Sequence, residues 1–367
     1  MDCEKKEVNE SSMQESRIDR VRSLLSLYDV EGIFFFDASN IRYITGFTGT
    51  DGALFVDGKR VLLLVDGRYT TQAGNETTGC DIITFRDRTA CMADIISDLK
   101  LSSVGVESTA IVLSNYLALR DRVGKVSLKP LSGKIERIRM VKDGGEIALL
   151  RQAAVTAARA LEETLEYIKP GITEKDVAVI LERKLRQAGG ENPSFETIAA
   201  SGVNSALPHA VPGSRKIQHG DFLTIDYGTI SGGYHSDETC TFGIGSLTEK
   251  QIAVYDIVKE AHDKAIRAVK PGISCAEIDG IARAHITEAG YGEYFSHGTG
   301  HGVGLNVHEP PRVYERSEDV LEEGIVITIE PGIYIPGLWG VRIEDTILVG
   351  RDGCEIITKM YKDLRIL

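Results

Sequence analysis

The chain has 367 residues, a formal net charge of −12 and 42% hydrophobic residues. It is long enough for two domains with ample core, and its acidity argues against nucleic acid or an anionic membrane surface as partner. No apolar run reaches the length of a membrane span, the opening MDCEKKEVNESSMQES lacks the apolar region of a signal peptide, and the six cysteines are scattered without a CxxC pair, as in a reduced cytoplasmic protein.

Residues 1–16 read as a short disordered tail. From Arg17 the pattern alternates between helix and strand. RIDRVRSLLSLYDV places Ile18, Val21, Leu24, Leu25 and Tyr28 on one helical stripe. GIFFF then reads as a buried strand, and GALFVDGKRVLLLV as a hairpin turning at Asp57-Gly58. SVGVE is a further strand, and Ser108 is placed to cap a helix through STAIVLSNYLALRDRV. This first stretch, 17–136, is a mixed α/β domain without an obvious catalytic cluster. A polar, glycine-containing break from Lys142 to Gly145 precedes an Ala-rich helix, and a boundary near residue 137 leaves 137–367 as a second domain.

The second domain repeats itself. IKPGITEKDVAVILERKLRQAG (168–189) aligns without a gap to VKPGISCAEIDGIARAHITEAG (269–290), with 7 of 22 positions identical. IQHGDFLTIDYG (217–228) then matches LEEGIVITIEPG (321–332), and SDET (236–239) matches IEDT (343–346). Three matches in one order indicate a duplicated unit. The duplication sets Asp226 opposite Glu330 and Asp237 opposite Glu344.

Asp226 and Glu330 lie in or beside runs rich in Ile, Val, Leu and Thr. A carboxylate buried there must be neutralised, hydrogen-bonded or bound to a cation. One such residue is commonly a satisfied core acid. Four, related by internal symmetry, point to a shared centre. Arg342 is the only basic residue close to them in sequence, so ion pairing cannot balance the set, whereas two divalent cations can. Carboxylate-rich ligation with one imidazole suits Mn²⁺, Fe²⁺ or Co²⁺, with Zn²⁺ also compatible. Paired ions of this kind sit about 3.5–4 Å apart and activate a bridging water.

The imidazole comes from SHGTGHGVGLNVHE (296–309), which holds three of the eight histidines. His297 and His301 have the i, i+4 spacing of a zinc helix, but four intervening and flanking glycines, each costing roughly 1 kcal/mol in a helix, argue against that. A dinucleotide loop needs a helix to follow, and Pro310-Pro311 blocks one. The segment is a glycine-rich loop between acidic strands, where one histidine can bind metal and the others remain free for proton transfer or substrate. His219, His235, His262 and His285 have no partners in sequence and read as surface or core residues. Trp339, Tyr291 and Tyr294 are either pocket walls or packing residues.

With LPHA, DYG, SDETCT, HGTGHGVGLNVHE, TIEPGIY and VRIEDT in this order, the chain resembles the pita-bread metallopeptidases, and within them the proline-specific branch of aminopeptidase P and prolidase. GFTGTDGALFV and LVDGRYTTQA resemble the N-terminal domain of bacterial aminopeptidase P-like members. The resemblance implies an α/β (α+β) protein, with a creatinase/prolidase-like domain over 17–136 and a catalytic pita-bread domain over 137–367. It also implies five metal ligands, Asp226, Asp237, His301, Glu330 and Glu344. In that pattern Asp237 and Glu344 bridge two ions, Asp226 holds one, and His301 with Glu330 holds the other. The expected ions are Mn²⁺, with Co²⁺, Fe²⁺ or Zn²⁺ as alternatives. Glu330 is further implied as the acid/base, His209 and His308 as groups that stabilise the intermediate or move protons, and His297 and Arg342 as lining the substrate site or supporting the ligands.

The expected activity is removal of an N-terminal residue from peptides with proline second, by a cytoplasmic homodimer with no nucleic-acid or membrane partner. An Xaa-Pro dipeptidase is the alternative. A silent peptide-binding module or a creatinase-type amidinohydrolase on the same fold would be marked by missing ligands, and none is missing.

Overall fold

The computed structural model describes residues 16–131 and 135–367. The tail expected over 1–16 lies outside the described residues apart from Ser16, which already belongs to a helix over 16–28. The chain divides into two compact units, with the division between Arg139 and Met140. Among the described residues no helix is long and apolar enough to cross a membrane.

The first unit is built on a mixed six-stranded sheet. Its order is Asp81–Phe85, Val61–Asp66, Ala53–Asp57, Gly32–Phe35, Ser103–Glu107 and Ser127–Leu131. Ile33, Phe34 and Phe35 are wholly buried, as a central strand covered on both faces requires. The expected hairpin is present as an antiparallel pair. Its turn is closed by the Asp57 carboxylate, which accepts from the Lys59 amide at 2.7 Å. Ile18, Val21 and Leu24 of the first helix are buried, while Leu25 and Tyr28 at the edge of the stripe are half-buried.

The expected Ser108 cap is not formed. Its amide and hydroxyl both donate to the Leu131 carbonyl at 3.0 Å, tying the ends of two parallel strands together. The helix starts later, at Leu113, after a Val112 N-cap that offers no side-chain acceptor.

The second unit is an α/β duplication that can be followed element by element. The first copy has helices Gly144–Leu165 and Glu174–Gln187 and an antiparallel sheet of Ile198–Ser201, Phe222–Tyr227 and Glu238–Gly243. The second has helices Glu249–Ala268 and Cys275–Glu288, with strands Gly300–Gly302, Val326–Ile329 and Asp345–Val349 at the centre of a five-stranded sheet. Each copy inserts a small hairpin before its last strand, Ile230–Ser231 with Tyr234–His235 and Gly332–Ile335 with Trp339–Arg342.

All four helices begin with a capping box, seeded by Asp143, Thr173, Thr248 and Ser274. Each box satisfies two orphan amides of the first turn reciprocally. The two KPGI turns also repeat in backbone detail. Gly171 and Gly272 take φ of +99° and +88°, which favours glycine. Their amides donate to the corresponding carbonyls Ile217 and Leu321, each at 2.8 Å. Each copy packs its helices on its own sheet, Leu161, Val177, Leu181 and Ile225 in the first, Val258, Ile278, Ile327 and Ile347 in the second.

Candidate active site

The middle strand of each copy presents an acid. Asp226 lies on Phe222–Tyr227, opposite Thr239 of the neighbouring strand. Glu330 follows Val326–Ile329, whose last residue pairs with Asp345. Asp237 and Glu344 stand immediately before the last strands of their copies. An antiparallel bridge between Thr239 and Glu344 joins the two sheets at this level. The four acids predicted from the repeat are therefore brought to the seam between the copies.

His301 enters from the glycine-rich segment. Part of that segment is a short internal strand, Gly300–Gly302, paired on one side with Glu309–Val313 and on the other, at Gly302, with Ile327. The glycines are needed for close approach. A Cβ on Gly300 would strike the Thr328 carbonyl, one on Gly302 the Pro310 carbonyl, and one on Gly304 the Glu309 carboxylate. The His301 Nε2 comes within 3.7 Å of Asp237 Oδ2 and 3.5 Å of Glu330 Oε1. One ligand atom each from Asp237, His301 and Glu344 lie within 4.8 Å of one another.

The electrostatics are those of a crowded acidic pocket. Burial, then the charges of Glu344, Asp226 and Glu330, push the Asp237 carboxyl far above its usual range. Burial, then Glu330 and Asp226, does the same to Glu344. Burial raises Glu330 to about 7. Burial also drives His301 down to about 3, so its imidazole is neutral and can ligate.

This donor set fits a pair of divalent cations. Arg342 pairs with Asp226 Oδ2 at 2.7 Å, yet Asp226 Oδ1 is buried with no hydrogen-bond partner among the described residues. An orphaned carboxylate oxygen facing three more acids and an unprotonated imidazole is matched by hard cations with oxygen-rich ligation.

The remaining predicted residues surround this centre. His308 is exposed and stacks at a tilt on His301, ring centroids 4.3 Å apart. His209 is exposed on the segment after Gly202–Ala206, and its neighbour Pro208 accepts from Arg342 Nη1 at 3.1 Å. Arg342 is 4% exposed, and its guanidinium also donates to Thr239 Oγ1 and the Tyr334 hydroxyl. His297 bonds the Gly298 carbonyl through Nδ1 and the Tyr334 hydroxyl through Nε2, at 2.8 and 2.9 Å.

Several supporting residues went unread in the sequence. Thr239 donates to Glu344 Oε2 at 2.6 Å, and Tyr334 joins Arg342 to His297. Asp279 accepts from the Thr299 amide and hydroxyl, and Arg283, paired with Asp279, donates to the His297 carbonyl at 2.7 Å. The Thr299 carbonyl in turn accepts from the Glu330 amide at 2.7 Å. Tyr334 stands inside the TIEPGIY motif; Asp279 and Arg283 lie on the helix of the second repeat, where their first-copy counterparts are not acid and base, so the repeat itself gave no signal for them. His262, read as partnerless, is buried with Nε2 3.2 Å from Asp345 Oδ2. Trp339 packs edge-on against Phe222, centroids 5.5 Å apart.

Residues 148–351 match the model of metallopeptidase family M24, and residues 17–141 that of the creatinase/prolidase N-terminal domain. The chain belongs to metallopeptidase family M24, which makes it a hydrolase of the pita-bread fold and of a family that works with divalent metal. Among its relatives, an Xaa-Pro dipeptidase of Pyrococcus furiosus is 37% identical over 95% of this chain and 99% of its own length. A solved Xaa-Pro dipeptidase from Bacillus anthracis is 40% identical, covering 96% of this chain and 100% of that one, with a TM-score of 0.94. The X-Pro aminopeptidase from Thermotoga maritima MSB8 covers the same shares at 33% identity and a TM-score of 0.87.

Proposed function

We propose that the chain hydrolyses the bond between an N-terminal residue and a following proline, with residues 137–367 as the catalytic part and Mn²⁺ as the working metal. Asp237 and Glu344 are assigned to both ions, Asp226 to one, and His301 with Glu330 to the other. The observation that carries this reading is the convergence of Asp237, His301 and Glu344 beside the orphaned oxygen of Asp226. When bound, the two ions supply a Lewis acid for the scissile carbonyl and a water acidic enough to react near neutrality.

The chain's own residues do the rest. Glu330 is the residue assigned to take the proton of the attacking water and return it to the leaving nitrogen. An Xaa-Pro nitrogen carries no N–H, so it must gain a proton to leave, and a positioned acid is required. His308 and His209 are assigned to the oxyanion, as exposed donors at the rim of the centre. Arg342 holds Asp226 and, through Tyr334, orients His297. The spare N–H capacity of Arg342 is small, which favours its supporting the ligands over capturing substrate.

Between the two proline-specific activities, the Xaa-Pro dipeptidase names of the Pyrococcus and Bacillus relatives favour dipeptides. The Thermotoga relative supports the aminopeptidase reading as the second. A length series decides: Xaa-Pro, Xaa-Pro-Yaa and a pentapeptide with proline second, each incubated with Mn²⁺ and followed by mass spectrometry. Cleavage confined to the dipeptide supports the first reading. Efficient release of the first residue from the longer peptides supports the second, and indifference to proline overturns both. A cytoplasmic homodimer is the expected state, and light scattering that finds only a 40.1 kDa species counts against the dimer.

A further inference from the structure

The duplication placed two acids, not one, at each of the outer ligand positions. Asp237 is followed by Glu238, and Glu344 by Asp345. In extended chain, consecutive side chains point to opposite faces, so the motif has a metal-facing pair and a reverse-facing pair. The reverse pair is buried too, Glu238 at 0% and Asp345 at 3% exposure. Their shared cation is an ammonium: Lys362 Nζ lies 2.5 Å from Glu238 Oε1 and 3.4 Å from Asp345 Oδ1.

Lys362 arrives on the segment after the last strand, and that segment is fastened to both copies. The Ile357 amide donates to the Thr346 carbonyl at 2.8 Å, Met360 to Glu238 at 3.0 Å, and Gly243 to the Arg365 carbonyl at 3.0 Å. The Lys362 carbonyl is itself held by the Tyr255 hydroxyl at 2.9 Å. The ammonium is therefore fixed, and it spans the two strands whose preceding residues are Asp237 and Glu344.

We propose that Lys362 is a positioning residue for the metal centre: by bridging Glu238 and Asp345 on the reverse face, it sets the separation of Asp237 and Glu344 on the metal face. This rests on the assignment of Asp237 and Glu344 as metal ligands. Partners behind the ligands orient them, and losing one typically lowers metal affinity about 10- to 100-fold. The sign of the effect is diagnostic. Through space alone, removing a positive charge from beside a cation site tightens binding, so weaker binding in its absence reports geometry.

The test is Mn²⁺ titration of the full chain, stripped with chelator, for wild type, Lys362→Met and the doubly neutral Lys362→Met/Glu238→Gln. Electron paramagnetic resonance of the Mn²⁺ pair and a kcat-against-KM comparison accompany the titration. Lys362→Met is expected to bind at least one ion about 10- to 100-fold more weakly, to show altered coupling between the ions, and to lose kcat with KM little changed. A folded Lys362→Met variant that binds both ions as tightly as wild type, whatever its melting temperature, overturns the proposal. If Lys362→Met does not fold, the double variant decides, since it leaves Glu238 uncharged: weaker binding supports the proposal and wild-type binding overturns it. Asp237→Asn and Glu344→Gln are the controls. If they retain both ions, the ligand assignment fails and takes this inference with it; if they lose metal while Lys362→Met does not, only the inference falls.

Discussion

Asp237 and Glu344 carry the sharpest prediction, because each is assigned to both ions. Asp237→Asn or Glu344→Gln should abolish metal pairing and peptide hydrolysis together, and full metal occupancy in both would sink the bridging assignment. His301 and His308 are adjacent rings with separate roles. His301→Ala should weaken one ion selectively. His308→Ala should keep both ions by elemental analysis yet lower kcat about 10²–10³-fold, the loss that follows removal of an oxyanion donor. Stoichiometric metal loss from His308→Ala would mean the two histidines exchange roles. Titration offers an independent check. In the metal-free protein burial raises Glu330 from 4.5 to about 7, so the folded state holds a proton that the unfolded chain has already lost. Stability of the stripped protein must then fall as pH rises through that window. A melting temperature that is lower at about pH 8 than at about pH 5 is expected after chelation, with a flatter profile once Mn²⁺ is restored. A stripped protein that gains stability over that range would contradict the crowded-acid account.

At the scale of elements, the duplication makes paired predictions. Gly171 and Gly272 adopt the left-handed region with open space around the missing Cβ. Gly171→Ala and Gly272→Ala should therefore each cost about 1–2 kcal/mol from backbone conformation alone, read as similar shifts in denaturant midpoint. Unequal costs would show that the two turns are not equivalent. The same symmetry explains what could be read from sequence. The acids Asp226, Asp237, Glu330 and Glu344 were legible because a repeat writes each of them twice in an apolar context. The glycine pattern around His301 was legible as non-helical, although not as the short internal strand that needs bare backbone against Thr328 and Pro310. Thr239, Tyr334, Asp279 and Lys362 were not legible as parts of the site. Thr239 and Lys362 meet partners 105 and 124 residues away, Glu344 and Glu238, and no local periodicity encodes such a meeting, while the nearer partners of Tyr334 and Asp279 follow no helix or strand period that marks a site. Ser108 failed for a different reason: its sequence is a good cap, but the helix begins only at Leu113, and Ser108 instead donates its hydroxyl to the Leu131 carbonyl of the neighbouring strand.

At the scale of the whole molecule, the seam between the copies behaves as an interface. Thr239 of the first copy donates to the Glu344 carboxylate of the second, while Thr346, its counterpart, donates to the Asp237 carbonyl of the first at 2.7 Å. Residue i meets j and j meets i, the isologous rule of twofold dimers, here written within one chain. On the proposed ligand assignment neither copy owns a complete centre, since Asp226 and Asp237 come from one and His301, Glu330 and Glu344 from the other. The covalent link near the exposed Ser246 is therefore a tether rather than a part of the chemistry. A protease site inserted after Ser246 and cut under native conditions should leave an active, two-fragment enzyme. Unfolding and dilution of that nicked form should abolish activity in a way that depends on protein concentration, as for any dimer that builds its active site between subunits.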